Sequence, residues 1–79
     1  MYYEDKGIYF SFYKKEECIY QSLEGIEPEI YASMLDVKNN QRKLRITKAD
    51  HRYYIMTAGR RNSEEVLFYL RDITAVYED

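Results

Sequence analysis

A mainly β fold, small and antiparallel, is what this 79-residue sequence predicts, and three stretches predict it. Arg42 to Lys48 alternates, with Leu44 and Ile46 on one side and Lys43, Arg45 and Thr47 on the other, the period of a strand with one buried face. After the turn residues Ala49-Asp50-His51, the run Arg52-Tyr53-Tyr54-Ile55-Met56-Thr57 is rich in the aromatic and β-branched side chains that suit a pleated surface. Near the N-terminus, Ile8, Phe10 and Phe12 share a face of Ile8 to Tyr13. Residues 41–78 then read as two hairpins and a closing strand, and the preceding residues as material that wraps or completes that sheet.

Taken in order, Met1 to Lys6 is an acidic, tyrosine-bearing lead, and Gly7 releases the chain into the first strand. Two readings fit residues 14–24: a strand over Cys18 to Leu23, or a helix stopped by Gly25 at its C′ position. Pro28 suits a helix N1 position or the head of an edge strand. Ile30 to Val37 again fits both periods, and Asn39-Asn40 is a turn. The strand Arg42 to Lys48 is expected to bury Leu44 and Ile46. Ala58 to Ser63 gathers Gly, Asn and Ser, residues that accept turn dihedrals or bond their own backbone. In Glu64 to Asp79, a helix is supported by Ser63 as N-cap and by the spacing of Val66, Leu70, Ile73 and Tyr77. The β-enriched residue types favour instead a strand through Leu70, a break at Asp72 and a last short strand from Ile73 to Tyr77. The alternative fold is α+β, a three-stranded sheet with helices over 14–24, 28–37 and 63–74.

The length gives one domain, residues 1–79, which buries only about 60–65% of its unfolded surface. Ten tyrosines suit so thin a core, each offering a large ring and a hydroxyl for the surface. With 46% hydrophobic and 33% charged residues the composition is that of an ordered chain. Net charge is -2, but residues 1–40 carry four basic against eight acidic residues and residues 41–79 carry eight against six. Seven of those basic residues lie between Arg42 and Arg61, with Asp50 the one acid among them.

Catalytic chemistry finds no support. His51 sits in a turn beside Asp50 with no nucleophile in view, and the pairs Glu16/Glu17 and Glu64/Glu65 point to opposite sides of a strand. The three glycines are isolated, which excludes a phosphate-cradling loop, and Cys18 reads as a small buried hydrophobe without metal-ligand neighbours. No enzyme and no cofactor are expected. A single cysteine, a polar start and the lack of an apolar run long enough to span a bilayer point to a cytoplasmic protein.

The pattern Lys43-Leu44-Arg45-Ile46-Thr47, a hairpin, a polar loop and Glu65-Val66-Leu67-Phe68-Tyr69-Leu70-Arg71-Asp72-Ile73-Thr74-Ala75-Val76 resembles the GRAM and bacterial PH-like domains. Glu16-Glu17-Cys18-Ile19 is similar to the motif that opens their first strand, so the likeness covers most of residues 16–78. It implies a curled antiparallel sheet or half-barrel and favours a strand over Cys18 to Leu23. Those domains close with a helix that has no counterpart before Asp79, so a cap would come from the N-terminal residues or a partner, or be missing.

Two binding surfaces are expected on this fold. Lys43, Arg45, Arg52, Tyr54, Arg60 and Arg61 would project from the outer side of the basic hairpin 42–61 as a surface for phosphate, on an anionic lipid headgroup or a nucleic acid. Such charges also protect exposed sheet edges from aggregation. Tyr2, Tyr3, Tyr9 and Tyr13 would form an aromatic patch for a protein partner or a second copy. The leading reading is a non-catalytic protein-interaction module, an adaptor or inhibitor of the kind a phage or mobile element encodes. A phosphate-recognising module is the alternative.

Overall fold

The computed structural model describes residues 7–77. It is mainly β: five antiparallel strands, β1 (Ile8–Lys14), β2 (Glu17–Gln21), β3 (Arg42–Ala49), β4 (Arg52–Arg60) and β5 (Glu65–Asp72), lie in one open sheet in the order β2-β1-β5-β4-β3. Two short helices complete it, α1 (Pro28–Ala32) and α2 (Thr74–Tyr77).

Turn chemistry sets the register. Lys15 and Glu16 join β1 to β2 and Asp50 and His51 join β3 to β4, both residues of each pair at positive φ. That is the primed two-residue turn whose twist matches the strands it joins. Between β4 and β5 the Asn62 side chain does the work, its Oδ1 accepting the backbone N–H groups of Glu64 and Glu65 at 2.9 and 3.0 Å. Ala58, Gly59 and Arg60, expected in that loop, continue β4 instead, paired with Phe68, Leu67 and Val66.

Because β2 and β3 are opposite edges of the sheet, the connection between them, residues 22–41, must cross the whole of one face. It supplies the second layer. Ile26, Tyr31, Met34 and Val37 from this crossover are buried against Tyr13, Tyr54, Met56, Ala58, Val66, Phe68 and Leu70 from the sheet. At the centre three rings meet: Tyr13, Tyr31 and Phe68, with centroids 4.8–5.3 Å apart. The Tyr31 hydroxyl, deep in this layer, shares a 2.9 Å hydrogen bond with Ser11 Oγ, so neither buried oxygen is left unpaired.

Several local expectations need correction. Of the alternative helices, only the start of 28–37 is helical, with Pro28 in the first turn; residues 14–24 form the β1–β2 hairpin and 63–74 hold β5. The strand expected over Ile73 to Tyr77 is helix α2. Asp72 pairs with Tyr54, close to the end of β4, so the chain beyond it has no strand left to pair with. Cys18, expected to be buried, is exposed, because β2 is an edge strand and the crossover departs from its far end.

The largest correction concerns which face is inside. Leu44 and Ile46 were expected in the core and Lys43, Arg45 and Thr47 outside. In the structure Thr47 is buried, Lys43 is half-buried, and Leu44 and Ile46 are 67% and 50% exposed. On β1 it is Ser11 and Tyr13 that are buried and Tyr9 that packs against the core, while Ile8, Phe10 and Phe12 lie on the other side, only half-buried.

Candidate interaction face

Strand register assembles, residue by residue, the face that no described segment covers. One row runs Ile46, Ile55, Arg71, Ile8 across β3, β4, β5 and β1; the next runs Leu44, Thr57, Tyr69, Phe10; a third runs Arg42, Gly59, Leu67, Phe12 and on to Tyr20 of β2. Leu44, Ile46, Leu67 and Tyr20 are all at least 45% exposed. Phe10 and Tyr69 meet edge to face at 5.6 Å, giving the middle row an aromatic centre. Sheet faces of monomers normally alternate apolar-in and polar-out. Here the outward side of β1 is Ile, Phe, Phe and that of β3 includes Leu and Ile.

Charge on this face has one sign across these three rows. Arg42 and Arg71 stand among the aliphatics, and Lys48 at the β3 end lies over the Tyr53 ring at 5.3 Å. No carboxylate stands in any of the three; the acids Glu17 and Glu65 come one row further on, beside Lys14. At the Arg42 end the face dips into a recess of about 390 Å³ lined by Arg42, Thr57, Gly59, Arg61, Leu67 and Tyr69. Gly59 makes the dip, being the one position in its row without a side chain. The Arg42 guanidinium lies across it, 3.6 Å from where a Cβ would stand, and has no hydrogen-bond or ion-pair partner among the described residues. The Arg61 side chain, itself exposed, makes a long contact to Glu65 at 3.9 Å.

The residues singled out from the sequence fall elsewhere. Lys43, Arg45, Arg52, Tyr54 and Arg60 share the covered face, and most of them serve the fold. Lys43 pairs with Asp36 and Arg45 donates to Ser33 Oγ at 3.0 Å, both across to the crossover. Arg60 donates from Nε to the Val37 carbonyl at 2.6 Å, from Nη2 to the Leu35 carbonyl, and from Nη1 to the carbonyls of Asn62 and Ser63. One guanidinium thereby fastens both the crossover and the β4–β5 loop, which the planar fork of arginine does and a lysine cannot. Arg52 donates to Asp72 Oδ2 at 2.5 Å. Burial disfavours ionised Asp72, but the bonds from Arg52 and Thr74 outweigh it and hold the carboxyl below its usual range. Tyr54 is buried and its phenol pushed up, first by burial and then by Asp72. Of the six, Arg60 and Arg61 line the open-face recess, and the Arg60 guanidinium is already committed to carbonyls.

The aromatic patch is corrected as well. Tyr13 is a core residue, its phenol pushed up to about 12 by burial with Cys18 and Tyr31 adding to the effect. Tyr9 packs on the covered face, edge to face with Tyr54 at 6.1 Å; Tyr2 and Tyr3 lie outside the described residues. A second recess of about 330 Å³, at the turn end of the covered face, is lined by Tyr13, Lys15, Glu16, Leu35, Arg60 and Glu64. Its arginine is already committed to carbonyls.

Sequence reasoning passed over Arg42, Leu67, Tyr69 and Arg71 as site residues. A signal was present: the aliphatic side of β1 and β3 and the tyrosine and alanine side of β1 and β4 competed for a single covering segment, and only one could have it. Among the described residues no three metal-ligating side chains cluster, and no helix is long and apolar enough to cross a membrane. Compared with protein-family models, with curated protein sequences and with solved structures, the chain matches none.

Proposed function

We propose that this chain is a non-catalytic protein-interaction module whose binding surface is the open face of its sheet. The observation that carries the reading is an apolar face that no described segment covers: Leu44, Ile46, Leu67 and Tyr20 are exposed in continuous rows with half-buried aromatics between them. Contiguous exposed apolar area on that scale marks an interaction surface in a folded monomer. Aliphatic and aromatic anchors with a few charges among them match the make-up of an interface core.

The kinship to GRAM and bacterial PH-like domains stands beside this as a proposal about descent. It is supported by an antiparallel sheet in which Lys43–Thr47 and Val66–Leu70 are strands. A phosphate-binding role for the basic hairpin draws less support, since Lys43, Arg45, Arg52 and Arg60 each bond to acceptors within the chain.

Photo-crosslinking tests the reading. A crosslinking amino acid at position 44, in the open face, is compared with one at position 29, exposed on the crossover, in cells producing the chain. A discrete protein adduct from position 44 alone is expected. Adducts from position 29 only, or from neither, would sink it.

A further inference from the structure

Resting on that reading, we propose that the open face takes an acidic, amphipathic segment of a partner protein. A carboxylate seats in the Gly59 recess against Arg42 and Arg61, and the partner's apolar side chains lie along Leu44, Ile46 and Leu67.

Charge complementarity selects this occupant. The cations of the three interior rows, Arg42 and Arg71, and Lys48 at their end have no carboxylate among them, so a ligand that covers the face must bring negative charge or leave cations desolvated without counter-charge. The recess is a formed site for one such charge. Its floor is glycine, its walls are Leu67 and Tyr69, and at its mouth stands a guanidinium with no partner among the described residues, whose fork matches a carboxylate in two parallel bonds. Arg71 lies two strands away from Arg42 and two rows along, which strand geometry places roughly 10 Å across and 13 Å along the sheet. An extended or helical segment with acids spaced among aliphatic residues reaches both.

The same arithmetic argues against a second copy. Face-to-face packing of two identical sheets would bring cations into an apolar contact and supply no acid from the facing rows. It also argues against a polyanion. Phosphate backbones and anionic bilayers are held by clustered Lys and Arg, whereas these cations are dispersed among aliphatics.

The test is selection of a displayed random-peptide library on the purified chain. It is followed by affinity measurement of the selected peptides and amide-shift mapping, with sedimentation of the free protein and binding to phosphatidylserine vesicles in parallel. Selected peptides are expected to combine Asp or Glu with aliphatic or aromatic residues and to shift the amides of Arg42, Gly59, Leu67 and Tyr69. Salt that shortens the screening length from about 10 to about 3 Å should weaken them. Arg42→Glu should cost roughly tenfold or more in affinity, on the scale of an interface hot spot, and Glu29→Lys should cost nothing. Gly59→Ala guards against a folding artefact. Its added Cβ meets Arg42 at an ordinary contact distance and removes a strand glycine, so the variant keeps or gains stability while its narrowed recess loses affinity. Peptides that map to the open face without acidic residues, and that ignore Arg42→Glu, would overturn the acidic anchor and leave the interaction reading standing. A dimer abolished by Leu44→Thr would overturn it in favour of a second copy. Binding to vesicles alone, or peptides that map only to the β2 or β3 edge, would overturn both.

Discussion

The two faces of the sheet divide the work, and they do so against hydropathy. The covered face is built from Tyr9, Ser11, Tyr13, Thr47, Tyr54, Met56 and Ala58 together with Val66, Phe68 and Leu70; the open face presents Ile8, Phe10, Phe12, Leu44, Ile46, Ile55, Leu67 and Tyr69. By aliphatic content the second is the better core. What decides which face is inside is the crossover. Residues 22–41 cross on the tyrosine side, where Tyr31 finds Ser11 for its hydroxyl, Arg60 finds the carbonyls of Leu35 and Val37, and Lys43 finds Asp36. Polar groups on a sheet face are costly to bury without such partners. The covered face is therefore the one whose polar atoms the crossover can satisfy, and the more apolar face is left without cover from any described segment.

The covered face is most sensitive at its centre. Phe68 is fully buried between Tyr13 and Tyr31, and Phe68→Ala should cost about 3–5 kcal/mol. For a 79-residue domain, with roughly 4–12 kcal/mol in all, that is a large share of its stability, so the urea midpoint should fall well below that of the parent chain. A loss below about 1 kcal/mol would mean that the covered face is not the core.

Alkali probes the same layer through its phenols. Burial holds the phenols of Tyr13, Tyr31 and Tyr54 above the ordinary tyrosine range, Tyr13 at about 12. A group whose folded pKa is raised gives up its proton first in the unfolded chain. Its contribution is therefore complete below the unfolded value near 10 and is lost as pH climbs from there to about 12. For Tyr13 alone the loss amounts to roughly 2–3 kcal/mol at about 1.4 kcal/mol per unit. Tyrosinate absorbance and circular dichroism should then change together in that window. Ionisation of all the tyrosines near pH 10 with the fold intact would contradict the buried layer.

Arg60 tests the clasp between the faces' builders. Arg60→Ala removes the donors to four carbonyls, two of them in the crossover, and should cost about 1–3 kcal/mol. Hydrogen exchange should accelerate most in residues 33–41. Arg60→Lys should restore little of this, since a single ammonium cannot span acceptors on two segments. Full rescue by lysine would reduce Arg60 to a point charge.

Much of the fold was legible in the residues, because strand and turn signals are local. The alternation in Arg42 to Lys48, the Asp50-His51 turn and the β-rich run Val66 to Leu70 each gave the right element. Facing was not legible, because alternation separates two sides without saying which is covered. That depends on a long-range fact, the order β2-β1-β5-β4-β3, which sends the crossover over one side. The candidate site was misplaced for the same reason. Lys43 and Arg45 were correctly seen to share a side of their strand and wrongly assigned to the outside, while Arg42 and Leu44, one residue away, occupy the open face.

The open face should respond least to truncation. Leu44→Thr with Ile46→Thr replaces two of the most exposed aliphatic side chains of the open face by a residue that keeps β-branching and strand propensity. If nothing within the chain covers them, their removal takes away little burial, and the stability change should stay within about 0.5 kcal/mol per site. Apolar dye binding should fall, because the contiguous patch is broken. The same pair of substitutions placed under the crossover would behave like Phe68→Ala. A loss of 2 kcal/mol or more from the double variant, at the scale of a buried Leu truncation, would show that Leu44 and Ile46 are covered in the free protein, by residues outside those described or by a second copy. Dilution separates those two, since burial by a second copy weakens with falling protein concentration and burial within the chain does not.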